Sequence, residues 1–181
     1  MEKVNREYYL NGQIYRESYY KNGKFHREDG PADIWYREDG KISCEKYYIN
    51  DQRHREDGPA DIFYYENGNT KSEEYYINES PHREDGPADI FYYENGKICS
   101  EEYWVNHRHH RENGAALISY FKDGQIKYES YFKNGKIYRE DGPAIVWYNE
   151  NGEIEKEQYF INGIECDILQ EVVIRGLSMK D

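Results

Sequence analysis

The chain has 181 residues, of which 36 are acidic and 24 basic, giving a net charge of -12. An apolar content of only 37% suggests disorder, but 21 tyrosines and 17% aromatic residues exclude that class, because disordered chains are poor in aromatics. The negative charge disfavours direct binding to nucleic acid, which needs a basic field. It favours a protein partner with a basic surface.

The cysteines and the N-terminal residues indicate the cellular compartment of the protein. The chain has an odd number of cysteines, namely Cys44, Cys99 and Cys166. Residues 1–10 contain no apolar signal region. We therefore expect free thiols and a cytoplasmic protein rather than a disulfide scaffold. No run approaches the roughly 20 apolar residues of a membrane-spanning helix, so we expect a soluble protein that does not contact membranes.

A seven-residue string, HREDGPA, recurs at intervals of 28 residues. It begins at His26, His54 and His82, and in variant form at His110 and Tyr138. The segment before the first copy keeps the same phase. An uninterrupted period of this kind predicts a repeat array, which we place from about residue 4 to residue 163.

Each repeat contains two β-like runs around a turn. In the third repeat, residues 60–65 (ADIFYY) precede Glu66-Asn67-Gly68, and residues 70–77 (TKSEEYYI) follow it. Alternating runs around Asn-Gly predict a β-hairpin. Glycines every 11 or 17 residues leave no room for helices, and HREDGPA becomes the longer connection between hairpins.

Strand alternation predicts the content of each face. Ala60, Ile62 and Tyr64 share the face that we expect to be buried, whereas Asp61 and Phe63 lie on the other. A glutamate and a tyrosine two residues apart recur in all six second strands, which we interpret as a structural requirement. Because a single-layer sheet cannot bury both faces, we expect one face to keep exposed tyrosines among acids.

The two ends of the array differ. Residues 164–176 place apolar residues at helical spacing, with Asp167 as N-cap and Gly176 as C-cap. We predict an all-β, elongated, twisted antiparallel array of about six 28-residue, two-strand repeats over residues 1–163, closed by a short helical cap over 164–181. The N-terminal strand has no cap, so its open edge could pair with a second copy to form a homodimer.

The phrase FYYENGNTKSEEYYIN, with its tyrosines, Asn-Gly turn and recurring glutamate, resembles the MORN-type β-hairpin repeat. It is more similar to the variant repeats of YwqK-like antitoxin-type proteins, and arrays with HREDGPA resemble those of phages and large DNA viruses. The resemblance implies a hairpin array and a host-directed role. The chain departs from the usual repeat where HREDGPA replaces a glycine-aromatic step, so lipid binding is not carried over.

The Arg-Glu-Asp triplets of these segments are the candidate site. One interpretation is a turn held by local hydrogen bonds and ion pairs; the other is a charged ridge that offers guanidinium and carboxylate groups to a partner. Tyrosines of the second strands add a recognition surface. The candidate contact residues are Arg27, Glu28, Asp29, Arg55, Glu56, Asp57, Arg83, Glu84, Asp85, Arg111, Arg139, Tyr47, Tyr75 and Tyr103.

Histidines and carboxylates do not predict a metal site, a cofactor or an enzyme. Equivalent histidines of successive repeats would lie roughly 9 to 10 Å apart, too far for one ion with ligands at about 2 Å. The cluster of His107, His109 and His110 has no carboxylate or thiolate at a familiar spacing. No nucleophile and base pair, and no phosphate-binding glycine loop, is present.

The sequence therefore predicts a non-enzymatic acidic scaffold that binds, and in one version inhibits, a protein partner with a basic surface. Two alternatives stay open at this point. In one, the negative charge mimics nucleic acid and blocks a protein that binds it. In the other, Arg27-type residues and tyrosines hold a small signalling nucleotide, as a sponge.

Overall fold

The computed structural model describes residues 2–161 and 163–166. Every regular element in these residues is a β-strand, and the strands form antiparallel hairpins, which confirms the all-β prediction. The same residues contain no helix long and apolar enough to cross a membrane. The chain divides after Ile98 into two compact units, which we describe separately.

The first unit contains strands β1 to β12. Their bounds are Glu2–Tyr8, Ile14–Lys21, Lys24–Phe25, Asp33–Tyr36, Ile42–Lys46, Tyr48–Ile49, Gln52–Arg53, Asp61–Tyr64, Thr70–Glu74, Tyr76–Ile77, Ser80–Pro81 and Asp89–Tyr92. The second unit contains β13, which starts at the last residue of the first unit, and β14 to β22. Their bounds are Ile98–Glu102, Trp104–Val105, Arg108–His109, Leu117–Tyr120, Ile126–Ser130, Phe132–Lys133, Lys136–Ile137, Ile145–Tyr148, Ile154–Ile161 and Ile164–Cys166.

The longer strands of each unit form an antiparallel sheet in which spatial neighbours follow chain order. The order is β1-β2-β4-β5-β8-β9-β12 in the first unit, with β3 also paired to β2, and β13-β16-β17-β20-β21-β22 in the second. The predicted hairpin turns are present: β8 and β9 flank Gly68, whose φ of +90° suits glycine. A bulge between Phe63 and Tyr64 accompanies this turn.

A second, shorter hairpin occurs in the repeats and was missed by the sequence prediction. β6 and β7 pair Tyr48 with Arg53 and meet at Asn50 and Asp51, which both have positive φ, as in a type I′ turn. The pairs β10–β11, β14–β15 and β18–β19 repeat this arrangement. The prediction of two-strand repeats is therefore wrong, because strands of two residues are too short to show an alternating pattern.

Alanine and branched aliphatic residues line one face of each sheet, and this face is buried as predicted. Five alanines one repeat apart are at most 1% exposed: Ala32, Ala60, Ala88, Ala116 and Ala144. Branched aliphatic residues two positions further on, including Ile34, Ile90 and Val146, are also buried. The core is thin because its centre is built from the smallest side chain that has a Cβ.

The opposite face is covered at its aspartates, so it is less open than expected. Asp61 is only 2% exposed, and the short hairpins provide its cover. Arg53 of β7 lies 3.7 Å from the Asp61 carboxylate and stacks on the ring of Tyr76 in β10. Oδ1 of Asp61 has no hydrogen-bond partner among residues 2–161 and 163–166, and burial raises the pKa of this carboxyl to about 6.

The recurring glutamates of the second strands have a structural role, which confirms that interpretation. Glu45 lies between Ile34 and Ile62 in the register and accepts a hydrogen bond of 2.6 Å from the Tyr64 hydroxyl. Four further pairs, at 2.6 to 3.2 Å, repeat this contact: Tyr36 with Glu17, Tyr92 with Glu73, Tyr120 with Glu101, and Tyr148 with Glu129. Each half-buried carboxylate is thus satisfied by the tyrosine of the next hairpin.

The predicted C-terminal helix is wrong over residues 164–166. These residues form β22, which pairs with β21 through Tyr159 and Cys166. Gly163 has a φ of +81° and lies in the reversal between the two strands, so the hairpin pattern continues where a helix was expected to start. Residues 167–181, the rest of that helix and of the predicted C-terminal cap, lie outside the described residues.

Replacing the buried Asp61 by leucine should stabilise the protein by about 1 to 3 kcal/mol at pH 7.5. Leu117 and Ile145 occupy the equivalent position in later repeats, so the site accommodates an aliphatic side chain. Because the pKa of Asp61 is raised to about 6, its contribution to stability falls as pH rises from about 4 to about 6. Urea unfolding at pH 4.5 and 7.5 should show a smaller gain at the lower pH; an equal gain would contradict this account.

His107→Gly should stabilise the second unit by about 1 kcal/mol. His107 is exposed, has a φ of +58° and stands where three other repeats have glycine, at Gly23, Gly135 and Gly163. Glu79→Gly is the matched comparison and should gain less, because the Glu79 carboxylate bonds to Arg53. Urea unfolding midpoints measure both changes, and a destabilised His107→Gly variant would refute the prediction.

Candidate protein-binding surface

The candidate residues lie in five equivalent connections that we call the acidic loops, residues 26–31, 54–59, 82–87, 110–115 and 138–143. Three belong to the first unit and two to the second. Each loop is fastened at its start by backbone hydrogen bonds. In the first, His26 donates to the carbonyl of Tyr19, and Arg27 donates to that of Tyr48.

The loop arginine stacks on a tyrosine of the sheet in every copy. The Arg83 guanidinium lies 4.2 Å from the centre of the Tyr75 ring. The other four pairs have distances of 3.8 to 4.1 Å: Arg27 on Tyr19, Arg55 on Tyr47, Arg111 on Tyr103, and Arg139 on Tyr131. This cation–π contact covers one face of each of these tyrosines.

The same arginine also bridges its own loop, which explains the glycine of the motif. Nη1 of Arg27 donates to the carbonyl of Pro31 at 3.3 Å, and the equivalent bond occurs in the other four loops. A Cβ at Gly30 would lie 3.0 Å from the Arg27 guanidinium carbon, and one at Gly58 would lie 2.9 Å from that of Arg55. Glycine is therefore needed for the close approach of the arginine.

Three of the four loop aspartates, Asp29, Asp57 and Asp141, bind the arginine of their own loop. Nε of the arginine donates to the aspartate two residues on, at 2.8 Å for Arg27 and Asp29, and at 2.9 Å for Arg55 and Asp57. Hydrogen bonding to Arg27 lowers the pKa of Asp29 below its ordinary value. The interpretation of the triplet as a turn held by local hydrogen bonds and ion pairs therefore fits the arginine and the aspartate. The aspartates Asp29 and Asp57 nevertheless stay highly exposed.

The loop glutamates differ from every other residue of the motif. The side chains of Glu28 and Glu56 are 72% and 85% exposed. Glu28 pairs with Lys21 at 3.0 Å and with His26 at 3.1 Å, and Glu56 approaches His54 at 3.7 Å. Glu84, Glu112 and Glu140 are exposed too, and among the described residues they have no ion-pair partner. The list of contact residues drawn from sequence omitted Glu112 and Glu140, although they occupy the same register.

The candidate tyrosines are half-buried rather than open. Burial raises the pKa values of Tyr47 and Tyr75, and the arginine of the following loop covers one face of each ring. Tyr103 has the same position under Arg111. These tyrosines support the loops and are only partly accessible to a partner.

The histidines hold the repeats together. Asn50 of the short hairpin donates its backbone N–H to Nδ1 of His26 at 3.2 Å, and Asn134 donates to His110 at 3.0 Å. In the histidine-rich cluster, His109 bonds to Glu102 at 2.9 Å and stacks on Trp104. Residues 2–161 and 163–166 contain no group of three or more potential metal ligands.

The two loops of the second unit enclose a cleft of about 680 Å³. Glu112, Glu140 and Asp141 all line it. Arg111, Lys133 and Arg139 line the same cleft, so a basic side chain of a partner would meet these cations there as well as carboxylates from both loops. At the other end of the chain, β1 pairs only with β2 among the described strands, so the homodimer through this edge stays a prediction.

Comparison with known proteins identifies the hairpins but not the loops. The model of a family described as "MORN repeat variant" matches residues 1–22, 62–78, 90–106, 116–134 and 145–162, together about half of the chain. All five acidic loops lie between the matched segments. No curated protein matches the chain.

Arg83→Ala should destabilise the first unit by about 1 to 2 kcal/mol, because it removes both the stack on Tyr75 and the bond to the Pro87 carbonyl. Glu84→Ala in the same loop should change the free energy of unfolding by less than about 0.5 kcal/mol. Urea unfolding measures both. Equal effects of the two substitutions would contradict the separate roles assigned to Arg83 and Glu84.

Proposed function

The chain belongs to the MORN repeat variant family, and we propose that it is a non-enzymatic scaffold whose acidic loops bind a protein with a basic surface. The observation that carries the proposal is the loop glutamate. The glutamate recurs in all five loops and is exposed in each, and Glu84, Glu112 and Glu140 have no ion-pair partner among the described residues. An exposed residue that is repeated although three of its five copies have no ion pair within the repeat favours recognition of something outside it.

The geometry supports a row of carboxylates at regular spacing within each unit. Successive loops are separated by two strands, or about 10 Å at the usual strand spacing. Each loop offers a glutamate, and four of the five also offer an aspartate. In three of these loops the half-buried arginine partly offsets the negative charge of the aspartate. The net charge of -12 adds a long-range field that raises the association rate with a cationic surface.

This spacing favours a protein over the two alternatives. A nucleic-acid mimic should approach the charge density of a duplex, one charge per about 1.7 Å of axis, and loops about 10 Å apart are much sparser. A nucleotide held by Arg27-type residues would have to displace a guanidinium from its tyrosine and from its own loop. The nucleic-acid mimic therefore needs a higher charge density than the loops have, and the nucleotide sponge needs a rearrangement of the loop arginines.

The biological role that we propose follows from the resemblance of the HREDGPA arrays to those of phages and large DNA viruses. In this proposal the protein acts in the cytoplasm, of a host if the source is viral, and inhibits or sequesters its basic partner in the manner of an antitoxin or anti-defence protein. A rigid scaffold that only assembles its partner would use the same surface. The two roles differ in the activity of the partner after binding.

Replacing Glu28, Glu56, Glu84 and Glu140 together by glutamine should abolish capture of basic partners without unfolding the protein. Affinity for a captured partner should fall about tenfold or more, because four exposed carboxylates are lost from the contact. The measurement is a pull-down from cell lysate followed by mass spectrometry, then calorimetry with the purified partner at several salt concentrations.

The control variant replaces Glu38, Glu66, Glu94 and Glu150 by glutamine. These glutamates are exposed at the turns of the long hairpins, so the control changes the net charge by the same amount but leaves the acidic loops intact. Capture should survive in the control. If both variants lose the partner equally, or if the loop variant keeps it, the acidic loops are not the binding surface.

A further inference from the structure

A basic, aromatic groove lies in the first unit, away from the acidic loops. It has a volume of about 600 Å³, within the range of small-molecule sites. Its lining comes from β2 to β6, β8 and β9 and includes four cations, Arg16, Arg37, Lys46 and Lys71, but a single carboxylate, Asp33. A local excess of three positive charges is unexpected on a chain with a net charge of -12.

The single carboxylate is already fully engaged. Arg16 donates to both oxygens of Asp33, and Ser18 and the Trp35 indole donate to them as well. Arg37 donates to the carbonyl oxygens of Ile42 and Tyr64 and forms no salt bridge among the described residues.

Within the described part of the chain, neither lysine of the groove forms a close ion pair, although Lys46 lies between Asp33 and Asp61 in the strand register. Lys46 and Lys71 lie beside the aromatic rings of Phe63 and Tyr65 and have no salt bridge among the described residues. The groove thus keeps cationic donors for an anion from outside.

Flat rings accompany these cations. Trp35 and Phe63 lie opposite Cys44 on neighbouring strands, and both line the groove together with Tyr48. An aromatic ring system that enters between them would gain stacking, which is worth about as much as a good hydrogen bond for a nucleobase. Cations around such rings match a ligand that combines a planar base with a phosphate.

The groove also breaks the symmetry of the array. Arg37 stands where the other repeats have Tyr9, Tyr65, Tyr93, Phe121 or Asn149. Lys46 stands where they have Ser18, Glu74, Glu102, Ser130 or Gln158. The fold therefore does not require a cation at either position, and both cations that distinguish this repeat line the same groove.

We propose that this groove binds a mononucleotide, with the base against Trp35 and Phe63 and the phosphate at Lys46, Lys71 and Arg37. A nucleic-acid strand is disfavoured because its further phosphates would meet the acidic remainder of the chain. The site is independent of the proposed binding of a basic protein, and either function could exist without the other.

The test uses AMP as the probe, with adenosine and inorganic phosphate as its two parts. Calorimetry should show saturable AMP binding that is tighter than that of either part. In a proton–nitrogen correlation spectrum, AMP should shift the indole resonance of Trp35, identified with a Trp35→Phe variant, and leave those of Trp104 and Trp147 in place. Binding of inorganic phosphate or adenosine as tight as that of AMP would overturn the proposal.

Two variants locate the site. Arg37→Tyr/Lys46→Glu gives this repeat residues that the others carry at these positions, so it should fold and bind AMP at least about tenfold more weakly. Lys71→Glu should weaken binding as well, whereas Lys127→Glu, an exposed lysine beside Phe121 two repeats later, should not. No saturable AMP binding, or equal affinity in the wild type and both groove variants, would refute the assignment.

Discussion

A single layer of β-strands exposes two faces, and each must be covered by something other than a second layer. In this protein the connection between hairpins provides both covers. Its acidic loop lays an arginine on a tyrosine of one face, while its short hairpin places aromatic rings and Arg53 over the aspartates of the other. The 28-residue period follows from this requirement, since each repeat must contain a hairpin and the cover for both of its faces.

The motif HREDGPA divides into residues that build the cover and one that does not. Arginine binds tyrosine and the loop carbonyl, aspartate binds arginine, glycine admits the guanidinium, and alanine fills the thin core. The glutamate is left facing solvent. Because the arginines are held internally, the surface that a partner meets is more acidic than the sequence of the loop suggests, which links the way the sheet is covered to the kind of partner proposed.

The long hairpins and their buried face could be predicted because strand alternation and Asn-Gly turns are local signals. The short hairpins could not, since two-residue strands such as Tyr48–Ile49 carry no period. The stacking of Arg27 on Tyr19 joins residues from different strands and leaves no pattern in sequence. The groove was missed for the same reason: Arg37, Lys46 and Lys71 come from three separate segments, and each looks like an ordinary surface cation.

The central claim, that the loop arginine covers the sheet by stacking on its tyrosine, is tested most directly by a double-mutant cycle. Arg83→Ala, Tyr75→Leu and the double variant would be compared with the wild type by urea unfolding. The account predicts a coupling free energy of about 1 kcal/mol or more, because each substitution removes the same contact. Additive effects, with a coupling below about 0.3 kcal/mol, would show that Arg83 and Tyr75 act separately and would contradict the account.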